Sequence, residues 1–91
     1  MSGKSWWVYV VECRGGSLYT GMTTDVERRI AQHNSGKGAR YTRTRRPVRL
    51  CAAREFPSRS LAGQVELFVK TQQPSEKVAT LAEISERMEE L

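Results

Sequence analysis

Residues Trp6 to Cys13 read Trp-Trp-Val-Tyr-Val-Val-Glu-Cys, a run of β-branched and aromatic side chains whose two alternating faces are both apolar. A strand with one face in water alternates apolar with polar residues. A strand apolar on both faces belongs in the middle of a sheet, covered on each side. The chain has 91 residues, which is room for one core, so a single domain over residues 1–91 is predicted. Only 38% of the residues are hydrophobic, so the two Trp, three Tyr and two Phe have to supply much of that core.

The remaining elements follow from their punctuation. Arg14-Gly15-Gly16-Ser17 is a turn, and Leu18 to Met22 is a second strand, which makes a hairpin. Thr24, with Glu27 three residues on, predicts a capping box opening a helix to about Ser35, with Gly36 placed to end it. Lys37 to Arg46 is basic and poor in apolar residues and reads as a loop closed by Pro47. Val48 to Phe56 is a third strand, ended by Pro57. Ser58 caps a second helix with Leu61, Val65 and Phe68 on its stripe. A third helix follows Pro74, with Val78, Leu81, Ile84, Met88 and Leu91 as its stripe and Glu83, Glu86, Glu89 and Glu90 elsewhere on its surface. The order predicts an α+β fold: a short three-stranded antiparallel sheet with helices packed against it.

Charge is unevenly spread. Residues 1–53 carry a net +7 and residues 54–91 a net −2. A basic front and an acidic back point to a polyanion meeting one side of the molecule, with nucleic acid the first candidate and an anionic membrane surface the second. No basic amphipathic helix is present to lie on a membrane. Cys13 and Cys51 have neither the spacing of a zinc site nor that of a redox pair, and read as buried, reduced thiols. No signal peptide and no membrane span are visible, so a cytoplasmic location is expected.

Several residues resist a purely structural reading. The first helix has an apolar stripe through Val26 and Ile30, and helical spacing adds Arg29 and His33 to it, while Arg28 points about 100° away. Arg29 could snorkel, and His33 could simply favour the helix end. Together, four residues apart on one face, they suit a shared anionic ligand. Tyr9 and Tyr19 are mid-strand, where packing is the ordinary role. Glu66 lies beside Val65, and a carboxylate near a buried face needs a cation, either Arg29 or a divalent metal. Lys37, Arg40, Arg43, Arg45, Arg46 and Arg49 form a cationic run around Tyr41 without an acid among them. The bias to arginine suits bidentate phosphate contacts, which position a backbone without reading sequence.

Trp7-Val8-Tyr9, Tyr19-Thr20-Gly21 and the run Asp25 to Asn34, followed by the basic loop and the Glu66 helix, resemble the GIY-YIG nuclease superfamily, most of all its small single-domain bacterial members. The stretch Glu27 to Asn34 is also similar to the eukaryotic junction-resolving nuclease of that superfamily. The resemblance covers roughly residues 5 to 80. It implies that Tyr9 and Tyr19 are the two active-site tyrosines, Arg29 the essential arginine, His33 the residue at the His-or-Tyr position, and Glu66 the metal-binding glutamate. It also implies hydrolysis of DNA phosphodiester bonds with one Mg2+ (or Mn2+) held by Glu66. In that scheme Arg29 counters developing negative charge, Tyr19 takes the proton of the attacking water with help from His33 or the metal, and Tyr9 orients the water or phosphate. Lys37, Arg40, Tyr41, Arg43, Arg45 and Arg46 would hold the DNA, whether branched, nicked or single-stranded. Trp7, Val8 and Thr20 replace the Gly and two Ile of the family tripeptides, and Met22 stands where some members have Lys.

Two other readings compete: a nucleic-acid-binding module of the same fold without turnover, and an interaction subunit that docks a protein partner or a second copy through its acidic last helix. A shared tyrosine site also makes a geometric demand. A two-residue turn at Gly15-Gly16 would put Tyr9 and Tyr19 on opposite faces, so a longer or bulged connection is predicted.

Overall fold

A computed structural model describes the backbone of residues 5–89 and the side chains of residues 5–84. Its elements are strand β1 (Trp6–Glu12), strand β2 (Leu18–Thr23), helix α1 (Val26–Asn34), helix α2 (Arg40–Arg43), strand β3 (Arg49–Phe56), helix α3 (Arg59–Lys70), a 3-10 turn at Pro74–Glu76 and helix α4 (Lys77–Glu89). The sheet is antiparallel with order β2-β1-β3, so the doubly apolar strand is the central one.

Its two faces do different things. Val8 and Val10 point into a core with Phe56, Ala62, Val65 and Val69 of α3, and Leu81 and Ile84 of α4. Each large aliphatic buried there contributes about 1.5–3 kcal/mol. Tyr9, Val11 and Cys13 point the other way, into a second cluster with Val48 and the partly buried Tyr19, Ile30 and Ala53.

The hairpin has the longer connection. Tyr9 pairs with Gly21 and Glu12 with Leu18, and the Cys13 amide donates to the Ser17 carbonyl at 2.8 Å. The three residues of the loop proper, Arg14 to Gly16, use two glycines at φ +96°, where a side chain would be strained. With that register Tyr9 and Tyr19 share a face. On the other edge, the β1–β3 pairing shifts between Val10 and Val11.

Four local expectations are corrected. The cap of α1 is Asp25, not Thr24: its side chain accepts from the Arg28 amide at 3.1 Å, while Thr23 Oγ1 accepts from the Asp25 amide. The stretch Lys37 to Arg46 is not all loop, because α2 forms within it. Phe68 is 47% exposed, and the buried stripe of α3 is Ala62, Val65 and Val69, one position out of phase with Phe68. Cys51 is only half-buried, unlike Cys13. Ser58 does cap α3, accepting from the Leu61 amide at 3.1 Å. On α4, Leu81 and Ile84 are buried and Val78 is exposed. The side chains of Glu86, Met88 and Glu89, together with Glu90, Leu91 and residues 1–4, lie outside the described residues.

Candidate active site

The site is built on the second face of β1. Tyr9 projects from the central strand across β2, and Gly21 opposite it leaves the room: a Cβ there would lie 2.5 Å from the Tyr9 hydroxyl oxygen and 2.7 Å from Cζ. The Tyr9 hydroxyl meets His33 Nε2 of α1 at 2.8 Å. The rings of Tyr9, Tyr19 and His33 form one cluster, with centroids 6.5 Å apart for Tyr9–Tyr19, 5.8 Å for Tyr9–His33 and 5.4 Å for Tyr19–His33. Tyr9 and His33 are fully enclosed, and Tyr19 is half-buried.

His33 has both ring nitrogens engaged. Its Nδ1 lies 2.7 Å from Thr42 Oγ1 in α2, and Thr42 in turn donates to the Ala39 carbonyl at 3.0 Å. Gly38 makes this possible, since a Cβ there would collide with His33 Nδ1 and come within 2.8 Å of its Cα. The expected help from His33 to Tyr19 is therefore redirected: the hydrogen bond goes to Tyr9. Thr42 and Gly38 are site residues that the sequence reading missed. A threonine and a glycine in a cationic, apolar-poor stretch look like solvent-exposed loop.

The charges around this cluster act on it unequally. Burial pushes the Tyr9 phenol above its ordinary value of 10.0. The nearby Arg29 guanidinium works against that shift, while Tyr19 and Glu66 add to it. Burial, then the charge of Arg29, lowers His33 below its ordinary 6.5, so the imidazole is neutral at pH 7. Arg29 is half-buried and also donates to Gln32 Oε1 at 3.0 Å, whereas Arg28 is exposed, as the helix phase predicts.

Glu66 is the carboxylate of α3 that acts on Tyr9. Its side chain is 20% exposed and pairs with Lys70 Nζ at 3.6 Å. Among the described residues no three of His, Cys, Asp and Glu gather as a metal cage. The donor set here, one carboxylate near phenolic oxygens, fits a hard cation that keeps water and takes further oxygen from phosphate.

The basic loop divides into two kinds of residue. Lys37, Arg40 and Arg43 are exposed, and Tyr41 is 38% exposed. Arg45 lies over the Tyr41 ring at 4.0 Å and donates to the Tyr41 carbonyl, and Tyr41 stacks on Tyr19 with centroids 6.0 Å apart. Arg46 donates to the carbonyls of Arg43 and Asn34. So Arg45 and Arg46 brace the loop as well as charge it. Arg49 pairs with Glu12 at the surface. Two open hollows carry arginine: one of about 310 Å3 with Arg28 and Arg29 beside Trp6, the other of about 540 Å3 with Arg14, Arg43 and Arg46.

This is a small α+β domain whose sheet carries a buried Tyr9–His33 pair on one face. The family model for the GIY-YIG catalytic domain matches residues 5–79, and the chain belongs to that family. It is similar to the UPF0213 protein Reut_B5558 of Cupriavidus pinatubonensis, 48% identical over 91% of this chain and 92% of that one. It is also similar to the UPF0213 protein SH2523 of Staphylococcus haemolyticus, 51% identical over 85% and 94%. Among solved structures, the solution NMR structure of EF2693 from E. faecalis superposes with a TM-score of 0.61 at 40% identity, covering 89% of this chain and 86% of that one. The NMR structure of the UPF0213 protein BH0048 from Bacillus halodurans has a TM-score of 0.51 at 52% identity, covering 80% and 78%. Membership in this family implies a nucleic-acid substrate, and no helix among the described residues is long and apolar enough to cross a membrane.

Proposed function

We propose that the chain is a metal-dependent endonuclease that hydrolyses phosphodiester bonds in DNA, choosing its substrate by structure more than by sequence, in repair or recombination. The observation that carries this reading is the gathering of Tyr9, Tyr19 and His33 on one sheet face, with Arg29 and Glu66 both acting on Tyr9. A packing role for the tyrosines would not need two opposite charges brought to one buried phenol.

Tyr9 and His33 are enclosed with their hydrogen bonds filled, so they hold the site in shape. Tyr19 is the phenol open to an attacking water and, as the phenolate, would accept the water's proton. Arg29 faces the negative charge that grows on the phosphoryl oxygens. Glu66 would hold Mg2+ or Mn2+, which when bound polarises the phosphate and stabilises the leaving oxygen. Lys37, Arg40, Tyr41 and Arg43 contact the DNA backbone from the braced loop, with a strongly salt-dependent affinity.

The Lys70 contact favours a second reading, a binding module in which Glu66 is merely paired. An i,i+4 pair with Lys70 half in water is a weak competitor, however, and would yield to a divalent ion. On α4, Leu81 and Ile84 are spent on the core and are not offered to a partner.

Labelled duplex, nicked, flap and branched DNA, incubated with Mg2+ or Mn2+ and with EDTA, tests the proposal. Metal-dependent cleavage by the wild type, lost in Glu66→Ala and Tyr19→Phe, is expected. Salt-sensitive binding with no cleavage of any substrate would overturn it in favour of the binding module.

A further inference from the structure

The hydrogen bonds around His33 have a direction, and its origin is Thr42. A hydroxyl has one proton. Thr42 gives its proton to the Ala39 carbonyl at 3.0 Å, which can only accept. Toward His33, 2.7 Å away, Thr42 Oγ1 is therefore an acceptor, and Nδ1 must carry the imidazole proton. Because the ring is neutral, Nε2 is then a bare lone pair, and the Tyr9 hydroxyl at 2.8 Å must donate to it. That leaves the lone pairs of the Tyr9 oxygen to accept from another donor. The chain runs head to tail from Tyr9 through His33 and Thr42 to a backbone carbonyl. With the other tautomer, Nε2–H would donate to Tyr9, and Thr42 would have to turn its proton from Ala39 to Nδ1.

We propose that Thr42 is a positioning residue of the site: by donating to the Ala39 carbonyl it fixes His33 as the Nδ1–H tautomer and so makes the Tyr9 hydroxyl the donor to Nε2. Thr42 touches no substrate. It is fully buried, and the backbone carbonyl that orients it belongs to the residue capping α2. The short helix thus acts on the site through one hydroxyl. The consequence for cleavage rests on the nuclease reading, but the tautomer does not.

The protein contains a single histidine, so its imidazole nitrogens are read by 15N–1H correlation without assignment. The wild type at neutral pH should show Nδ1 as the protonated, pyrrole-type nitrogen and Nε2 as the pyridine-type one. Thr42→Val removes the acceptor and should shift population to the Nε2–H tautomer, and Thr42→Ser should restore the wild-type pattern. A wild type in the Nε2–H form overturns the proposal whatever the variants do. So does a folded Thr42→Val that stays purely Nδ1–H. Where the wild type cleaves DNA, Thr42→Val should lose about ten- to a hundredfold in rate, the range found when a metal-site histidine loses its orienting partner, with Thr42→Ser recovering most of it. A wild type that cleaves nothing but shows the expected tautomers refutes the nuclease reading and leaves the role of Thr42 intact.

Discussion

Replacing Gly21 with alanine puts a methyl group where the Tyr9 ring lies. The new carbon would stand 2.7 Å from Cζ and 2.5 Å from the hydroxyl oxygen. Carbon atoms in contact settle at about 3.5–4.0 Å, so the ring has to retreat by roughly 1 Å. It has little freedom to do so, being 1% exposed and flanked by Tyr19 and His33. A retreat of that size stretches the 2.8 Å bond to His33 Nε2 beyond hydrogen-bonding range. An unsatisfied buried donor and acceptor cost about 1–3 kcal/mol, and overpacking adds about 1–3 kcal/mol. The sum is about 2–6 kcal/mol, which lowers Tm by at least about 8 °C in a domain this small. Thermal melts followed by circular dichroism measure the loss, and the His33 15N shifts report the broken bond. Cleavage, where present, should fall on the order of a hundredfold from the displaced phenol. A Gly21→Ala protein within about 0.5 kcal/mol of wild type, an effect no larger than that of an ordinary surface substitution, with the Tyr9–His33 bond intact, would refute the claim that Gly21 exists to seat Tyr9.

Three further outcomes are expected. Gly63, inside α3, has only Met22 Sδ at 4.0 Å from an added Cβ; Gly63→Ala should therefore stabilise by about 0.5–1 kcal/mol through better helix propensity, read as a higher urea midpoint. The hydroxyl of Thr20 is buried without a partner among the described residues; Thr20→Val removes that orphan and should add about 1 kcal/mol, measured the same way. His33 sits below its ordinary 6.5 when folded, from burial first and Arg29 second. Below pH 6.5 the unfolded chain then binds more protons than the folded one, so this contribution is whole above 6.5 and drains away as pH falls toward the folded value. The urea midpoint should drop on mild acidification more steeply in wild type than in a His33→Gln protein, and equal slopes would contradict the assignment.

Much of the fold was legible because its boundaries are chemically marked. Pro57 and Ser58 end one element and begin the next, Gly36 stops α1, and the doubly apolar β1 demands neighbours on both sides. The parity of the hairpin was legible from Tyr9 and Tyr19 alone, once a common site was assumed. What stayed hidden depends on tertiary surroundings. Thr42 is buried because α2 folds over His33, and nothing within Lys37 to Arg46 signals this. Phe68 looks like core by type and spacing, yet α3 is rotated so that Val69 takes the inner position. Thr24 has the partner for a capping box, but Asp25 is one residue nearer the first turn and has the stronger acceptor.

A central strand that is apolar on both faces carries an ambiguity during folding. Sliding β1 by one residue exchanges Trp6, Val8 and Val10 for Trp7, Tyr9 and Val11, largely apolar for apolar, so hydrophobicity alone chooses the register only weakly. The selection falls to groups that cannot be exchanged: the glycine-rich loop, the irregularity at Val10 and Val11, and above all the Tyr9 hydroxyl, which finds His33 in one alignment only. The polar cluster therefore helps the chain recognise its own native pairing, and variants that strip it should fold less uniquely as well as less stably.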